Sequence, residues 1–100
     1  MGLFSNIFGK QVDFADLIAK GAKIIDVRSP AEFRGGHVAG SVNIPLDRIR
    51  SEVANLKKAG KPVILCCASG MRSGNATSIL QGEGIDAHNG GAWTNVNRYV

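Results

Sequence analysis

Two kinds of apolar pattern take turns along the chain. Short segments at residues 23–27, 42–45, 62–66 and 85–88 read as strands, and the unbroken apolar run at 62–66 has the character of a central strand covered on both faces. Between them apolar residues recur at three- and four-residue spacing. Phe14, Leu17 and Ile18 form one helical face, with Asp13 as N-cap and Gly21 as stop. In Ser29-Pro30-Ala31-Glu32 the serine caps, the proline takes the first helical position and the glutamate reaches back, which makes a capping box; Gly35 and Gly36 end that helix. Asp47 is placed to cap a helix with Ile49, Val53 and Leu56 facing inward, Lys57 and Lys58 at its negative end and Gly60 beyond. Residues 73–81 read as a helix stopped by Gly82. Residues 89–91 read as a turn, and Trp93 as a core plug ahead of a brief C-terminal helix. Leu3, Phe4, Ile7 and Phe8 make an apolar stripe, expected as an N-terminal helical extension over residues 1–11 that packs on the domain, docks a partner or touches a membrane surface.

Strands alternating with helices predict an α/β fold, a mostly parallel central sheet with helices on both faces. Such sheets bind ligands beyond the carboxyl ends of their strands. The segment "LCCASGMRSGN", residues 65–75, stands at one of those ends.

Composition narrows the reading. A chain of 100 residues, 44% apolar and 20% charged, suits one domain over residues 1–100 that needs no disulfide staples. Two adjacent cysteines are neither a disulfide framework nor a metal-ligand spacing, so we expect no metal, a reducing compartment and a cytoplasmic location. No apolar run is long enough to predict a membrane span, and Asn6 stands where a myristoylation signal requires Ser or Thr. The net charge of +4 is spread without interleaved aromatics, which argues against nucleic acid and suits a small anionic substrate. We expect no cofactor and a monomer.

The candidate chemistry lies in the two thiols. A thiol attacks as its thiolate, and a free cysteine near pKa 8.5 is mostly protonated at neutral pH unless its surroundings favour the anion. Residues 68–72 are small apart from Met71 and Arg72. Their N–H groups can curl inward as an anion-holding nest, backed by the positive end of a helix starting at Ser73 and by the Arg72 cation. Ala68, Ser69, Gly70, Met71, Arg72 and Ser73 are therefore the candidate substrate-binding residues, with Met71 as an apolar wall. Strand alternation turns Ile64 and Cys66 toward one covered face, while Cys67, read as the first residue past the strand, points into the loop and is the candidate nucleophile. Asp26 and Arg28, two apart at a strand end, share a side and are read as a network bracing that loop, or else as substrate contacts. His88 is read as a surface or strand-edge residue.

The segments "IIDVRSPAEFRGGHVAGSVNIPL", "LCCASGMRS" and "NGGAW" together resemble the single-domain rhodanese family of sulfurtransferases, over about residues 12–93 and in the family's order. The resemblance implies a rhodanese-like fold with Cys67 at the catalytic position. Cys67 would take sulfane sulfur from a donor such as thiosulfate as a persulfide and give it to a nucleophilic acceptor, a thiol or cyanide. It also implies that His37 belongs to a Gly-His turn that ties backbones together. Many members carry a cation directly after the catalytic cysteine, where this chain has Ala68, so a small-molecule or protein persulfide is an alternative donor.

Two other readings stay open. Five residues separate Cys66 from Arg72, which is the spacing of cysteine phosphatases and arsenate reductases, whereas four separate Cys67 from Arg72. The choice of cysteine is thus the choice of reaction. Rhodanese-like modules also occur as non-catalytic binding domains, usually with the cysteine lost.

Overall fold

The run Val63-Ile64-Leu65-Cys66-Cys67 can bury every side chain only if both of its faces and both of its edges are covered, and the computed structural model, which describes residues 12–100, covers them. The strands are β1 (Lys23–Asp26), β2 (Val42–Asn43), β3 (Val63–Cys67) and β4 (Ala87–Ala92), all parallel, in the order β2-β1-β3-β4. The helices are α1 (Phe14–Ala19), α2 (Pro30–Arg34), α3 (Val53–Ala59), α4 (Met71–Gly82) and α5 (Trp93–Val96).

Alternation along β3 divides the core in two. Ile64 and Cys66 pack with Ile24, Val38 and Val96 beneath α1 and Trp93. Val63, Leu65 and Cys67 pack with Ile25, Val27, Ile49, Leu56, Ala76 and Leu80 beneath α3 and α4. Each fully buried aliphatic side chain contributes roughly 1.5–3 kcal/mol, so this double layer holds the carboxyl end of β3 firmly in place. The expected α/β architecture is therefore present, with an entirely parallel sheet.

Several boundaries differ from those expected. β3 runs to Cys67, which is paired with Ala92 of β4, so Cys67 ends the strand rather than following it. α4 begins at Met71 rather than Ser73, because Gly70, with φ of 102°, turns the chain into the helix two residues early. At the other end Gly82 lies inside α4, and Gly84, with φ of 81°, follows the cap residue Glu83. Asp47 caps nothing: the Leu46 N–H is tied to the Val27 carbonyl and Arg48 to that of Pro45, so Leu46–Glu52 forms 3-10 turns ahead of α3. Asn89, Gly90 and Gly91 lie within β4 rather than in a turn. Leu65 pairs with Asn89 and Cys66 with Gly91, which leaves Gly90 as the extra residue of a bulge. The expected helical extension over residues 1–11 lies outside the described residues.

Candidate active site

The site is assembled where β3 passes into α4. Because Gly70 adopts a conformation that L side chains rarely take, the chain after Cys67 folds back on itself and its N–H groups converge on sulfur. Gly70 N–H donates to Cys67 Sγ at 3.0 Å and Ser73 N–H at 3.4 Å, and the Ser73 hydroxyl oxygen stands 3.4 Å away. Burial pushes the Cys67 thiol toward its neutral form. The Ser73 hydroxyl and the Ser73, Gly70 and Ser69 amides outweigh that and hold its pKa below the ordinary thiol value. Cys67 itself exposes no surface, Ser73 is buried beside it, and Ala68 and Ser69 are exposed at the rim.

Cys66 sits on the opposite face in different surroundings. Burial pushes its thiol up to about 12, with the Asp26 carboxylate adding to the effect. It is a neutral, hydrocarbon-packed thiol, and the loop amides point to its neighbour.

Arg72 does not stand free at the loop. Its two terminal nitrogens grip Glu32 of α2 at 2.8 and 3.0 Å, and Glu32 Oε1 simultaneously takes the Ser29 N–H and hydroxyl in the capping box. The Arg72 fork and the Ser29 N–H hold the Glu32 carboxyl down at about 2. Position 32 thus has two tasks, and only the cap was visible in local sequence, because nothing local couples residues forty apart. Met71 is also placed otherwise than expected: 82% exposed, it projects into solvent and walls nothing.

Asp26 and Arg28 are both buried and joined by Arg28 Nε to Oδ1 at 2.9 Å and Nη2 to Oδ2 at 2.7 Å. The same guanidinium donates to the Gly36 carbonyl at 2.7 Å and lies over the Trp93 ring, 5.1 Å from its centre. The pair thus braces the far end of α2 and not the Cys67 loop directly; the link to that loop runs onward through Glu32 and Arg72. Asn43, which the sequence did not mark, donates to the Asp26 and Arg28 carbonyls, both at 2.9 Å, and fixes the end of β1. His37 Nδ1 meets the Phe33 carbonyl at 2.7 Å and its ring stacks on Phe33. His88 pairs with Asp86 at 2.8 Å.

An open groove of about 420 Å³ runs past Arg72 between Val27, Ser29, Pro45, Leu46 and Asp47. The arrangement can therefore stabilise a buried thiolate with converging amide donors, and the groove meets this loop only at Arg72.

The family model described as "Rhodanese-like domain" matches residues 10–96. The chain belongs to the rhodanese-like domain family. Among curated relatives, the uncharacterized protein YqhL of Bacillus subtilis is 44% identical over 63 residues, covering 63% of this chain and 49% of its own. Thiosulfate sulfurtransferase PspE of Escherichia coli is 36% identical over 61 residues, covering 60% of this chain and 59% of its own. The chain spans about half or less of the length of the first curated relatives that it matches. Among solved structures, a rhodanese with anions from E. coli aligns with a TM-score of 0.69 and 31% identity, over 75% of this chain and 91% of the other. A rhodanese-related protein of Thermoplasma volcanium aligns with a TM-score of 0.71 and 28% identity, over 89% of this chain and 90% of the other. Sulfurtransferases recur among the relatives of this rhodanese-like domain, and among its described residues no helix is long and apolar enough to cross a membrane.

Proposed function

We propose that this rhodanese-like domain is a sulfurtransferase that carries sulfane sulfur as a persulfide on Cys67. The observation that carries the reading is the convergence of the Gly70 and Ser73 N–H groups on Cys67 Sγ. Those donors favour the thiolate, and they are equally suited to the anionic outer sulfur of a persulfide. The thiolate attacks the outer sulfur of a donor such as thiosulfate. The S–S bond of the donor breaks, its electron pair leaves with sulfite, and Cys67 keeps the transferred sulfur. An acceptor thiolate or cyanide then attacks that outer sulfur, forming a new persulfide or thiocyanate and returning Cys67 as thiolate. No external general base is required once the thiol is ionised. Since Cys67 exposes no surface, the rim at Ala68 and Ser69 has to yield for a donor to reach it.

A phosphatase-type reaction through Cys66 would require the thiol that burial keeps neutral, on the face away from the loop. The Glu32 grip on Arg72 favours, as a second donor class, a small-molecule or protein persulfide over the thiosulfate dianion, because no unpaired arginine fork remains at the loop. Two reduced thiols suit a cytoplasmic setting, and the reading takes residues 1–100 as one domain acting as a monomer.

The test is intact mass after incubation with thiosulfate, or separately with a glutathione persulfide, before and after cyanide. Wild type and Cys66→Ser should each gain one sulfur atom that cyanide removes, while Cys67→Ser gains none. Absence of added sulfur from either donor would sink the reading.

A further inference from the structure

The Ser73 hydroxyl carries one proton and has two acceptors in reach, Asn89 Oδ1 at 2.7 Å and Cys67 Sγ at 3.4 Å. The Asn89 amide is fixed in orientation by its other partners. One end lies 3.1 Å from the Gly70 carbonyl oxygen, which can only accept, so that end is the NH2 group. The other end takes the Gly91 N–H at 2.9 Å and is the oxygen. An amide oxygen cannot donate, so the Ser73 hydroxyl donates to it. While the thiol is neutral, what then faces Cys67 is a lone pair of Ser73 Oγ, which can accept from S–H. A thiolate needs the reverse, the hydroxyl proton turned onto sulfur.

The sheet and the helix are both shaped to bring these groups together. Asn89 lies in register with Leu65, whose side chain packs on the α4 side of the sheet together with that of Cys67. The bulge at Gly90 then lets Gly91 present its N–H to the same amide. Gly74 occupies the interior of α4, where glycine costs helix stability, and a Cβ there would stand 3.2 Å from Asn89 Nδ2. The helix thus gives up a side chain where the amide passes.

We propose that Asn89 is a positioning residue that sets the ionisation of Cys67 by competing with the thiolate for the Ser73 hydroxyl proton. When the Cys67 proton leaves, the Ser73 hydroxyl turns from Asn89 Oδ1 to sulfur. Oδ1 keeps the Gly91 N–H and is not orphaned, so the exchange is open in both directions. The proposal rests on Cys67 being the reacting thiol, and the other charged and titratable groups of the elements around it are paired or buried. Arg72 of α4 stays paired with Glu32 of α2, Asp26 with Arg28 at β1, and His88 of β4 with Asp86, while Cys66 stays neutral.

The test is the apparent pKa of Cys67 in the full chain, read from thiolate ultraviolet absorbance and from the pH profile of iodoacetamide labelling, with the label assigned to Cys67 by fragment mass. Asn89→Ala should lower that pKa by about half a unit to one unit, roughly threefold to tenfold in the ionisation constant. In a Ser73→Ala background the same change should have no effect. Asn89→Asp, which keeps the Oδ1 acceptor for Ser73 and Gly91 but replaces the NH2 donor to the Gly70 carbonyl with a carboxylate oxygen, should raise the pKa, and the rise should shrink in the Ser73→Ala background. A rise with Asn89→Ala, or shifts of equal size in both backgrounds, overturns the proposal and leaves Asn89 as a plain brace. If circular dichroism shows that Asn89→Ala does not fold, the Asn89→Asp pair decides alone. Labelling needs no sulfur donor. Loss of sulfur transfer with these shifts intact therefore counts against the proposed function and not against the role of Asn89.

Discussion

Two neighbouring thiols of identical intrinsic chemistry are separated here by one step of strand alternation. Cys66 is turned among aliphatic side chains and its thiol is pushed up to about 12, while Cys67 is turned beneath the Ser73 hydroxyl and N–H donors that together more than offset its burial. The separation has a consequence in pH. Cys67 has a pKa below the ordinary thiol value, so its thiolate persists to lower pH than that of a free cysteine. We predict that the rate of sulfur uptake by Cys67 follows its ionisation, with a midpoint below the free-thiol value and a fall on the acid side of that midpoint. The check is the single-turnover rate against pH by quenched intact mass. The Cys66→Ala profile should superimpose on that of wild type, and a midpoint at or above the free-thiol value would contradict the amide cradle.

The elements that carry the site were legible to different depths. The apolar run of β3 and the capping box that opens α2 are local patterns with their expected consequences, whereas the turn at Gly70 starts α4 two residues ahead of the expected Ser73. The β4 bulge was not legible, because Asn-Gly-Gly is the chemistry of a turn as much as of a bulge, and only pairing with β3 decides between them. The same pairing gives Gly90 a strict spatial requirement. A Cβ there would stand 2.5 Å from Val96 Cγ2, 3.0 Å from Ile64 Cγ2 and 3.1 Å from the Leu65 carbonyl oxygen. Two of these neighbours are fully buried side chains and the third is backbone, so none can retreat cheaply. Gly90→Ala should therefore destabilise the protein by about 1–3 kcal/mol, the usual range for overpacking. Urea unfolding of the two proteins checks this, and an unchanged midpoint would mean that α5 shifts freely.

Across the whole molecule, the carboxyl ends of the strands are joined by a chain of charges that no local pattern reveals. The Asp26–Arg28 pair holds the Gly36 end of α2, and Glu32 of α2 holds Arg72 at the start of α4, so the segment that carries the active loop is tied to β1 through a short helix. Sequence reading supplied every member of this chain except the double task of Glu32, and it placed the Arg72 cation on the substrate, because the partner lies forty residues away. The tie depends on Glu32 being ionised. Its carboxyl, held at about 2 in the folded protein, has a value near 4.3 in the unfolded chain, so folding is favoured wherever the group is charged in both states. The contribution is present in full above the unfolded value and is lost as pH falls toward about 2. Glu32→Gln keeps a side chain able to cap α2 while removing the charge. We therefore predict that this variant melts below wild type at neutral pH, that the gap stays constant down to the carboxylate range, and that it closes as pH falls toward 2. Melting temperatures of the two proteins across that range check the prediction. A gap independent of pH would show that what the variant lost was cap geometry and not the ion pair, and would remove Arg72 from the list of groups held in place by charge.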